Sequence, residues 1–287
     1  MSRRWTALSG TQIGSVHVRD GLPLQDAHTV LVTDGTAVVA VADGHGHRLH
    51  FRSDVGSALA VRISAELLTA ALPHLTDPAT APGVLREVGT QLISRWTEAV
   101  HDHVAQQPFA GDDLLLVDPA DPGQRTRPYG STVLAMVATD ALLGVVQIGD
   151  GDAVVVTSAG TALRPVPEDP DLDGSRTTSL CQPDPGASLR VGALDVRAED
   201  LVLGYLCTDG FSTSRVDADG WWRQTGEELV GFARQHGFAW IEERLPGWLE
   251  EPAAIGGDDT TLALVALTSL DPGADPGATA SATPTTR

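Results

Sequence analysis

The chain has 287 residues, 42% of them hydrophobic and 20% charged, a composition typical of a folded protein and too apolar for a disordered one. Its formal net charge of −19 excludes a general binder of nucleic-acid backbones and argues against docking on an anionic membrane. The only cysteines, Cys181 and Cys207, cannot form a disulfide framework or a four-cysteine zinc site.

Targeting signals are not evident in the sequence. No apolar run approaches the ~18 residues of a membrane-spanning helix. Arg3 and Arg4 are followed by polar sequence rather than by the apolar stretch of a secretory signal. We therefore expect a cytoplasmic protein, a monomer, with no nucleic-acid or membrane partner.

The N-terminal third predicts a hairpin and two helices. Residues 29–33 and 36–42 are rich in Val and Ala, and the Asp34-Gly35 pair between them is typical of a two-residue hairpin turn. Residues 53–71 and 84–106 carry apolar side chains at helical spacing, and a proline follows each segment.

The rest of the chain predicts further strands and one more helix. A second hairpin is expected over 132–138 and 141–148, and the other strand-like runs are 153–157, 201–207 and 261–267. A helix over 226–236 is expected to begin with a capping box of Thr225 and Glu228 and to end at Gly237. Polar, Pro- and Gly-rich sequence predicts long loops at 108–128 and 165–190.

Antiparallel hairpins with helices grouped in pairs indicate an α+β fold rather than a parallel sheet with crossover helices. We assign residues 1–269 to a single domain. The Pro, Gly, Ala and Thr of residues 270–287 leave little to bury, and we expect a disordered tail there.

Aspartates stand at the ends of the predicted strands. They are Asp26, Asp43, Asp150, Asp152, Asp209, Asp258 and Asp259. If these strand ends meet, the carboxylates repel one another unless a cation lies between them. Mg²⁺ and Mn²⁺ prefer such oxygen ligands, and two ions about 3.5–4 Å apart are a known arrangement for hydrolysing phosphate esters. A single Asp-Gly pair is more often a simple turn, and Asp34-Gly35 is read in that way.

Six short motifs carry a family resemblance. They are LQDA (24–27), VADGHG (41–46), GST (130–132), GDGD (149–152), TDG (208–210) and GDDTT (257–261). In this order and strand context, between about Gly14 and Leu267, the chain resembles the metal-dependent protein phosphatases, the protein phosphatase 2C family, in its bacterial-type branch. The resemblance implies two packed antiparallel β-sheets flanked by pairs of antiparallel helices, a four-layer α-β-β-α sandwich.

The resemblance also implies two Mg²⁺ or Mn²⁺ ions. Asp43 would bridge both ions, the Gly44 carbonyl would bind one, and Asp209 and Asp258 would bind the other. Asp26 would bind directly or through a water. Two further positions bear on a third ion: Asp150 matches one of its ligands, but the partner acid is replaced by Thr213, so the third site is incomplete.

The implied reaction is the hydrolysis of phosphoserine and phosphothreonine monoesters in proteins by a metal-bridged hydroxide. His45 resembles the general acid of the family, although a histidine in such a turn can equally be bonded locally. The family's phosphate-binding Arg is missing, and His17 or Arg19 would take its place. A neutral imidazole holds a phosphate less firmly than a guanidinium does.

Two other functions stay open at this point. The first is a catalytically weak or inactive binding or sensing module on the same fold, which the missing Arg favours and the retained carboxylates oppose. The second is a phosphatase for a small phosphorylated metabolite. The sequence contains no GxxxxGK[ST] loop, HExxH motif or GxSxG elbow that would indicate a different chemistry.

Overall fold

The computed structural model describes residues 3–172, 177–215, 220–273 and 285–286. Over these residues the chain forms two antiparallel sheets and seven α-helices. The strands are β1 (Trp5–Gln12), β2 (Ala27–Thr33), β3 (Thr36–Ala42), β4 (Val133–Ala138), β5 (Leu142–Ile148), β6 (Asp152–Thr157), β7 (Ala162–Leu163), β8 (Arg190–Asp195), β9 (Leu201–Cys207), β10 (Thr260–Leu267) and β11 (Thr285–Thr286). The helices are α1 (Ser15–Asp20), α2 (Ser53–Ala71), α3 (Ala81–Gln106), α4 (Pro122–Arg125), α5 (Asp209–Ser212), α6 (Trp221–His236) and α7 (Phe238–Gly256).

The sheets are stacked between two layers of helices. The first sheet has the order β1-β10-β9-β6-β7, and the second has the order β11-β2-β3-β4-β5-β8. Helices α6 and α7 pack on the first sheet, and α2 and α3 pack on the second. The predicted α+β fold, with two packed antiparallel sheets and flanking helix pairs, is confirmed.

Strand β3 shows how the layers are held together. Val39 and Val41 lie in the core between the sheets, whereas Val38 and Ala40 lie in the core shared with α2 and α3. Successive strand residues face opposite sides of a sheet. A strand covered on both faces must therefore be apolar along the covered length, as residues 37–42 are.

Both predicted hairpins are present. Thr33 pairs with Thr36 across the first turn, where Asp34 and Gly35 have φ angles of 53° and 82°, the left-handed values that a two-residue hairpin turn requires. β4 and β5 form the second hairpin. The first long helix has the predicted bounds, and the second begins three residues earlier than predicted, at Ala81.

The predicted capping box is wrong. Helix α6 begins at Trp221, so Thr225 and Glu228 lie within its first two turns and cap nothing. Trp221 and Trp222 are both buried in the core under the first sheet. Burial of two large side chains therefore determines where this helix begins, and the local capping signal does not. The end at Gly237 is as predicted.

Two elements of the first sheet layer have no clear signal in the sequence. Only Trp5 and Leu8 of β1 are buried, so its pattern does not alternate as a strand pattern should. Helix α7 contains Pro246 and Pro252, residues that usually interrupt a helix. β1 pairs with β10 along its whole length, which accounts for a strand that its own sequence barely specifies.

Helix α2 is more apolar than the sequence analysis expected, which found no run of membrane-spanning length. The helical stretch Ser53–His74 is long and apolar enough to cross a membrane by length and composition, with a mean hydropathy of 1.5. Half of the most apolar part of this stretch is buried inside the fold, where Ile63 and Leu68 pack in the core beneath the second sheet. Its hydropathy is that of a core helix covered by α3 and the sheet.

The domain boundary at residue 269 stays a prediction, and most of the expected tail lies outside the described residues. At its start, Leu270 is buried and Asp271 Oδ2 accepts a hydrogen bond of 2.9 Å from the backbone N–H of Phe238. Near its end, Thr285 and Thr286 pair with β2.

Candidate metal centre and active site

Five aspartates reach one region from the ends of strands in both sheets. Asp43 follows β3, Asp150 follows β5 and Asp209 follows β9, whereas Asp26 precedes β2 and Asp258 precedes β10. One carboxylate oxygen from each of Asp43, Asp150 and Asp209 lies within 4.8 Å of the other two. The stacked sheets thus bring together acids that are far apart in the chain.

The segment before β4 holds the loop that carries Asp43. The Asp43 N–H donates to Thr132 Oγ1 at 3.0 Å, and the Thr132 N–H donates to the Asp43 carbonyl at 2.9 Å. The His45 N–H donates to the Gly130 carbonyl at 3.0 Å. Three hydrogen bonds from one short segment therefore fix the direction in which the Asp43 loop leaves its strand.

Gly44 is confined by backbone on two sides. A Cβ at this position would lie 2.5 Å from the Gln25 carbonyl oxygen and 2.8 Å from that of Ser53. Ser131, opposite Gly44 in an isolated β-bridge, is fully buried and donates its hydroxyl to a backbone carbonyl, so its role is structural. Glycine permits this close approach of the backbone beside the acidic cluster.

Asp26 is buried next to the cluster and is held by two threonines. Its Oδ2 accepts from Thr208 Oγ1 at 2.8 Å and from Thr261 Oγ1 at 2.6 Å. Burial raises the pKa of Asp26 well above its usual value, and the charges of Asp259 and Asp258 raise it further, against the effect of the two hydroxyl donors. A nearby cation is what this carboxylate needs in order to be ionised at neutral pH.

Mutual repulsion extends across the cluster. Burial, followed by the charges of Asp209, Asp26, Asp258 and Asp150, raises the pKa of Asp43 well above its usual value. Burial, followed by the charges of Asp150 and Asp258, raises the pKa of Asp209 to about 7. Carboxylates arranged in this way cannot all be charged at neutral pH without a counter-ion.

These residues fit a hard divalent cation. Asp150 Oδ1 is buried and has no hydrogen-bond partner, so it offers a free lone pair inside the cluster. Across the described parts of the chain, Asp43, Asp150 and Asp209 are the one group of three or more possible metal ligands, and all their donors are oxygen. Mg²⁺ and Mn²⁺ take such ligands, whereas structural zinc sites favour His and Cys.

The surroundings of a third ion are less complete. Thr213 Oγ1 donates to the Asp209 carbonyl at 2.8 Å, and a hydroxyl cannot replace the charge of a carboxylate. Asp152 adds negative charge at the start of β6, but it pairs with Arg164 at 2.7 Å. Its charge is therefore compensated within the chain rather than by an ion.

The phosphate-binding role of His17 and Arg19 stays a prediction, and carboxylates are the neighbours of both side chains in the structure. The His17 side chain is 6% exposed, with Nε2 3.5 Å from Asp258 Oδ1 and Nδ1 2.9 Å from Asp259 Oδ1. Both ring nitrogens therefore lie near carboxylate oxygens, although Nδ1 has no hydrogen-bond partner. Arg19 is exposed and pairs with Asp20 at 2.7 Å. Neither side chain is among the described residues that line the cleft beside the acidic cluster.

A cleft of about 680 Å³ opens beside the cluster. Its walls include Asp43, His45, His47, His50, Asp150, Ser179, Asp209 and Asp258. His45 Nε2 lies 2.8 Å from Ser179 Oγ, and its ring meets the His50 ring edge-to-face at 5.0 Å between centroids. Burial, with a smaller effect of His50, lowers the pKa of His45 to about 4, so its imidazole is neutral at pH 7.

Sequence reasoning missed the residues that hold the aspartates in place. They are Thr132, Ser179, Thr208 and Thr261. Three of them had a usable signal, because Thr132, Thr208 and Thr261 stand within the motifs that carry the aspartates or support them. Ser179 had none, since it comes from the long loop at 165–190 and meets His45 only in the folded chain.

The fold and the site agree with a family comparison. The model of the protein phosphatase 2C family matches residues 13–250, which include every candidate ligand except Asp258. The chain belongs to the protein phosphatase 2C family. A comparison with curated proteins found no match to this chain.

Solved structures show the same fold at low sequence identity. A bacterial serine phosphatase is 13% identical with a TM-score of 0.59, covering 92% of this chain and 98% of its own. Stp1 from Staphylococcus aureus is 14% identical with a TM-score of 0.60, covering 93% and 97%. PstP/Ppp from Mycobacterium tuberculosis is 21% identical with a TM-score of 0.54, covering 92% and 98%. A PstP catalytic domain was crystallised in complex with two manganese ions.

Proposed function

We propose that this phosphatase 2C chain is a Mg²⁺- or Mn²⁺-dependent protein phosphatase that hydrolyses phosphoserine and phosphothreonine. The observation that carries the proposal is the convergence of the Asp43, Asp150 and Asp209 oxygens within 4.8 Å, beside a cleft that also contains His45. Raised carboxylate pKa values and the unpartnered Asp150 Oδ1 support a cation at this point.

Each carboxylate has a distinct position toward that cation. Asp43 and Asp209 face each other across the cluster, and Asp258 is a third candidate ligand at the cleft wall. Because Asp26 Oδ2 is engaged by two threonines, Asp26 would act through its other oxygen or through a water. The Gly44 carbonyl would be a backbone ligand. Ions bound here supply activation of an attacking water and offset charge on the phosphoryl oxygens.

His45 is the candidate proton donor. Its ring lines the cleft beside the acidic cluster, where a protonated imidazole can supply the proton that the seryl or threonyl oxygen needs as it leaves. A bound phosphate dianion favours the protonated imidazole and raises its pKa from the low value that burial imposes. Ser179 orients the ring for this transfer.

A binding module is the second candidate, and the composition of the cleft favours it. Among the described residues that line the cleft there is no Arg or Lys, and the basic groups are the three histidines His45, His47 and His50. Phosphate binding would therefore depend mostly on the metal site. A chain of this kind retains metal affinity even if turnover is slow.

One assay separates these candidates. The full chain is given a phosphothreonine peptide, a phosphoserine peptide and glucose 6-phosphate, each with Mn²⁺, Mg²⁺ or EDTA. We expect peptide turnover that needs the ion and falls at least ~100-fold in Asp43→Asn. Asp102→Asn, at an exposed position of α3, is the matched control and keeps full activity.

The other outcomes have fixed meanings. Faster turnover of glucose 6-phosphate than of either peptide would replace the protein substrate with a small phosphorylated metabolite. Calorimetric Mn²⁺ binding without turnover of any substrate would select the binding module. Equal turnover in EDTA and in Mn²⁺ would contradict the metal-dependent mechanism.

A further inference from the structure

A buried carboxylate lies beside the candidate ligands and is not among the described residues that line the cleft. Asp259 is 2% exposed and follows Asp258 directly. Its Oδ1 accepts from the Gly14 N–H at 2.8 Å, and its Oδ2 accepts from the Gln25 N–H at 2.6 Å and the Asp26 N–H at 3.4 Å. One side chain therefore ties the segment before α1 and the segment before β2 to the start of β10.

His17 completes this arrangement from the first turns of α1. Its Nδ1 lies 2.9 Å from Asp259 Oδ1 and its Nε2 lies 3.5 Å from Asp258 Oδ1. The Nδ1 contact is one of proximity, because Nδ1 has no regular hydrogen-bond partner. The ring thus separates the buried carboxylate from the candidate ligand and touches both.

We propose that Asp259 and His17 act together as a positioning pair that sets the Asp258 side chain and the Asp26 backbone for metal binding. This inference rests on the proposed function, since it assumes that Asp26 and Asp258 bind a divalent cation. It gives His17 a role other than the phosphate contact suggested by its sequence position. Neither member of the pair touches the ion or the substrate.

The contacts explain why both members are needed. Asp26 and Asp258 belong to opposite sheets, so their relative position depends on what crosses between those sheets. Asp259 reaches the Asp26 segment through its carboxylate, and it reaches Asp258 through its own backbone N–H, which donates to Asp258 Oδ1 at 2.9 Å. His17 adds a second contact to the same Asp258 oxygen at 3.5 Å. Groups that orient metal ligands in this way typically change metal affinity by about 10–100-fold when removed.

A double-mutant cycle on Mn²⁺ affinity tests the pair. The variants are Asp259→Asn, His17→Ala and the double variant, titrated with MnCl₂ by calorimetry in the full chain. In Asp259→Asn the side-chain NH₂ group must face backbone N–H donors in either orientation of the amide, so at least one hydrogen bond is lost. We expect each single variant to weaken Mn²⁺ binding by about 10–100-fold. We expect the double variant to be no weaker than Asp259→Asn alone, because one interaction is lost in all three.

Two further variants show whether the pair acts on the position of the metal ligands or only on the stability of the fold. His17→Gln keeps an amide N–H near the Nε2 position, which faces Asp258, and should recover most of the affinity that His17→Ala loses. Leu92→Ala in α3, a buried core position outside the site, is expected to lower the melting temperature without changing Mn²⁺ affinity. If Asp259→Asn does not fold, the His17 series alone decides.

The failures are distinguishable. Unchanged Mn²⁺ affinity in both Asp259→Asn and His17→Ala, in a chain whose wild type binds Mn²⁺, overturns the pair and leaves the proposed function in place. Effects that multiply in the double variant also overturn it, because the two residues would then act independently. A wild-type chain that binds no Mn²⁺ overturns the proposed function and the pair together.

Discussion

Thr132 holds Asp43 from two directions. It accepts the Asp43 N–H on its hydroxyl oxygen at 3.0 Å and donates its own N–H to the Asp43 carbonyl at 2.9 Å. Thr132, which directly precedes β4, therefore fixes the backbone of Asp43, the central candidate ligand. The hydroxyl, rather than the size of the side chain, is what the Asp43 N–H needs.

Thr132→Val therefore removes one acceptor at nearly constant volume. We expect the free energy of unfolding to fall by about 1–3 kcal/mol, because a part-buried N–H loses its partner. Thr132→Ser, which keeps the hydroxyl, should cost less. Urea titration of both variants checks this, and equal losses in Val and Ser would show that the methyl group, not the hydroxyl, is responsible.

Gly56 supports the same segment from helix α2. A Cβ at Gly56 would lie 1.9 Å from the Tyr129 carbonyl oxygen, a backbone atom three residues before Thr132. Gly56→Ala should therefore destabilise the fold by about 1–3 kcal/mol. Gly83→Ala in α3 is the matched control, since nothing lies within 4 Å of its Cβ, and it should be neutral or stabilising by up to ~1 kcal/mol. Similar melting temperatures for the two variants would contradict the clash.

The raised pKa of Asp209 predicts a pH dependence of the metal-free chain. Asp209 titrates near 4 when unfolded and at about 7 when folded. Between these values the folded state binds more protons, so the contribution of this group to stability falls as pH rises from 4 to 7. In EDTA, the stability of Asp209→Asn relative to wild type should therefore rise on the order of 2 kcal/mol between pH 5 and pH 8.

The difference in stability between Asp209→Asn and wild type isolates the titration of Asp209 from that of groups with the opposite pH dependence. The lowered pKa of His45 acts in the other direction, because stability from a depressed histidine pKa increases as pH rises through that range. His45 is present in both proteins and cancels in the difference. A difference that does not change with pH would show that Asp209 titrates normally. Saturating Mn²⁺ should remove the dependence.

The role assigned to His45 predicts sensitivity to the leaving group. His45→Gln keeps a polar contact for Ser179 but cannot transfer a proton at neutral pH. We expect kcat for a phosphoserine peptide to fall by about 10²–10⁴-fold, and kcat for p-nitrophenyl phosphate to fall much less, because nitrophenolate leaves without a proton. Equal losses on both substrates would contradict an acid role. His74→Gln, at an exposed position after α2, controls for the loss of a histidine.

The sequence specified those parts of the fold that local patterns control. Asp34-Gly35 predicted a hairpin turn, and the Val- and Ala-rich run at 36–42 predicted the strand that follows it. The aspartates at the strand ends predicted an oxygen-lined site, because a strand places its last residue rigidly. The start of α6 was missed, since burial of Trp221 outweighs the local cap at Thr225.

The environment of His17 could not be predicted in this way. Its partners, Asp258 and Asp259, lie more than two hundred positions further along the chain, and no local pattern relates them. The family's motif order suggested a phosphate contact, and in the folded chain the ring lies beside two carboxylates. Long-range contacts of this kind also place Ser179 against His45.

Anomalous diffraction from crystals grown with Mn²⁺ tests the central claim most directly. Data collected at the manganese absorption edge locate each ion without reference to activity. We expect at least one anomalous peak within about 2.0–2.6 Å of carboxylate oxygens of Asp43 and Asp209, and its loss in Asp43→Asn crystals. A wild-type crystal in saturating Mn²⁺ with no peak in contact with Asp43, or with a peak that persists there in Asp43→Asn, would contradict the claim that these strand ends form a divalent-cation centre.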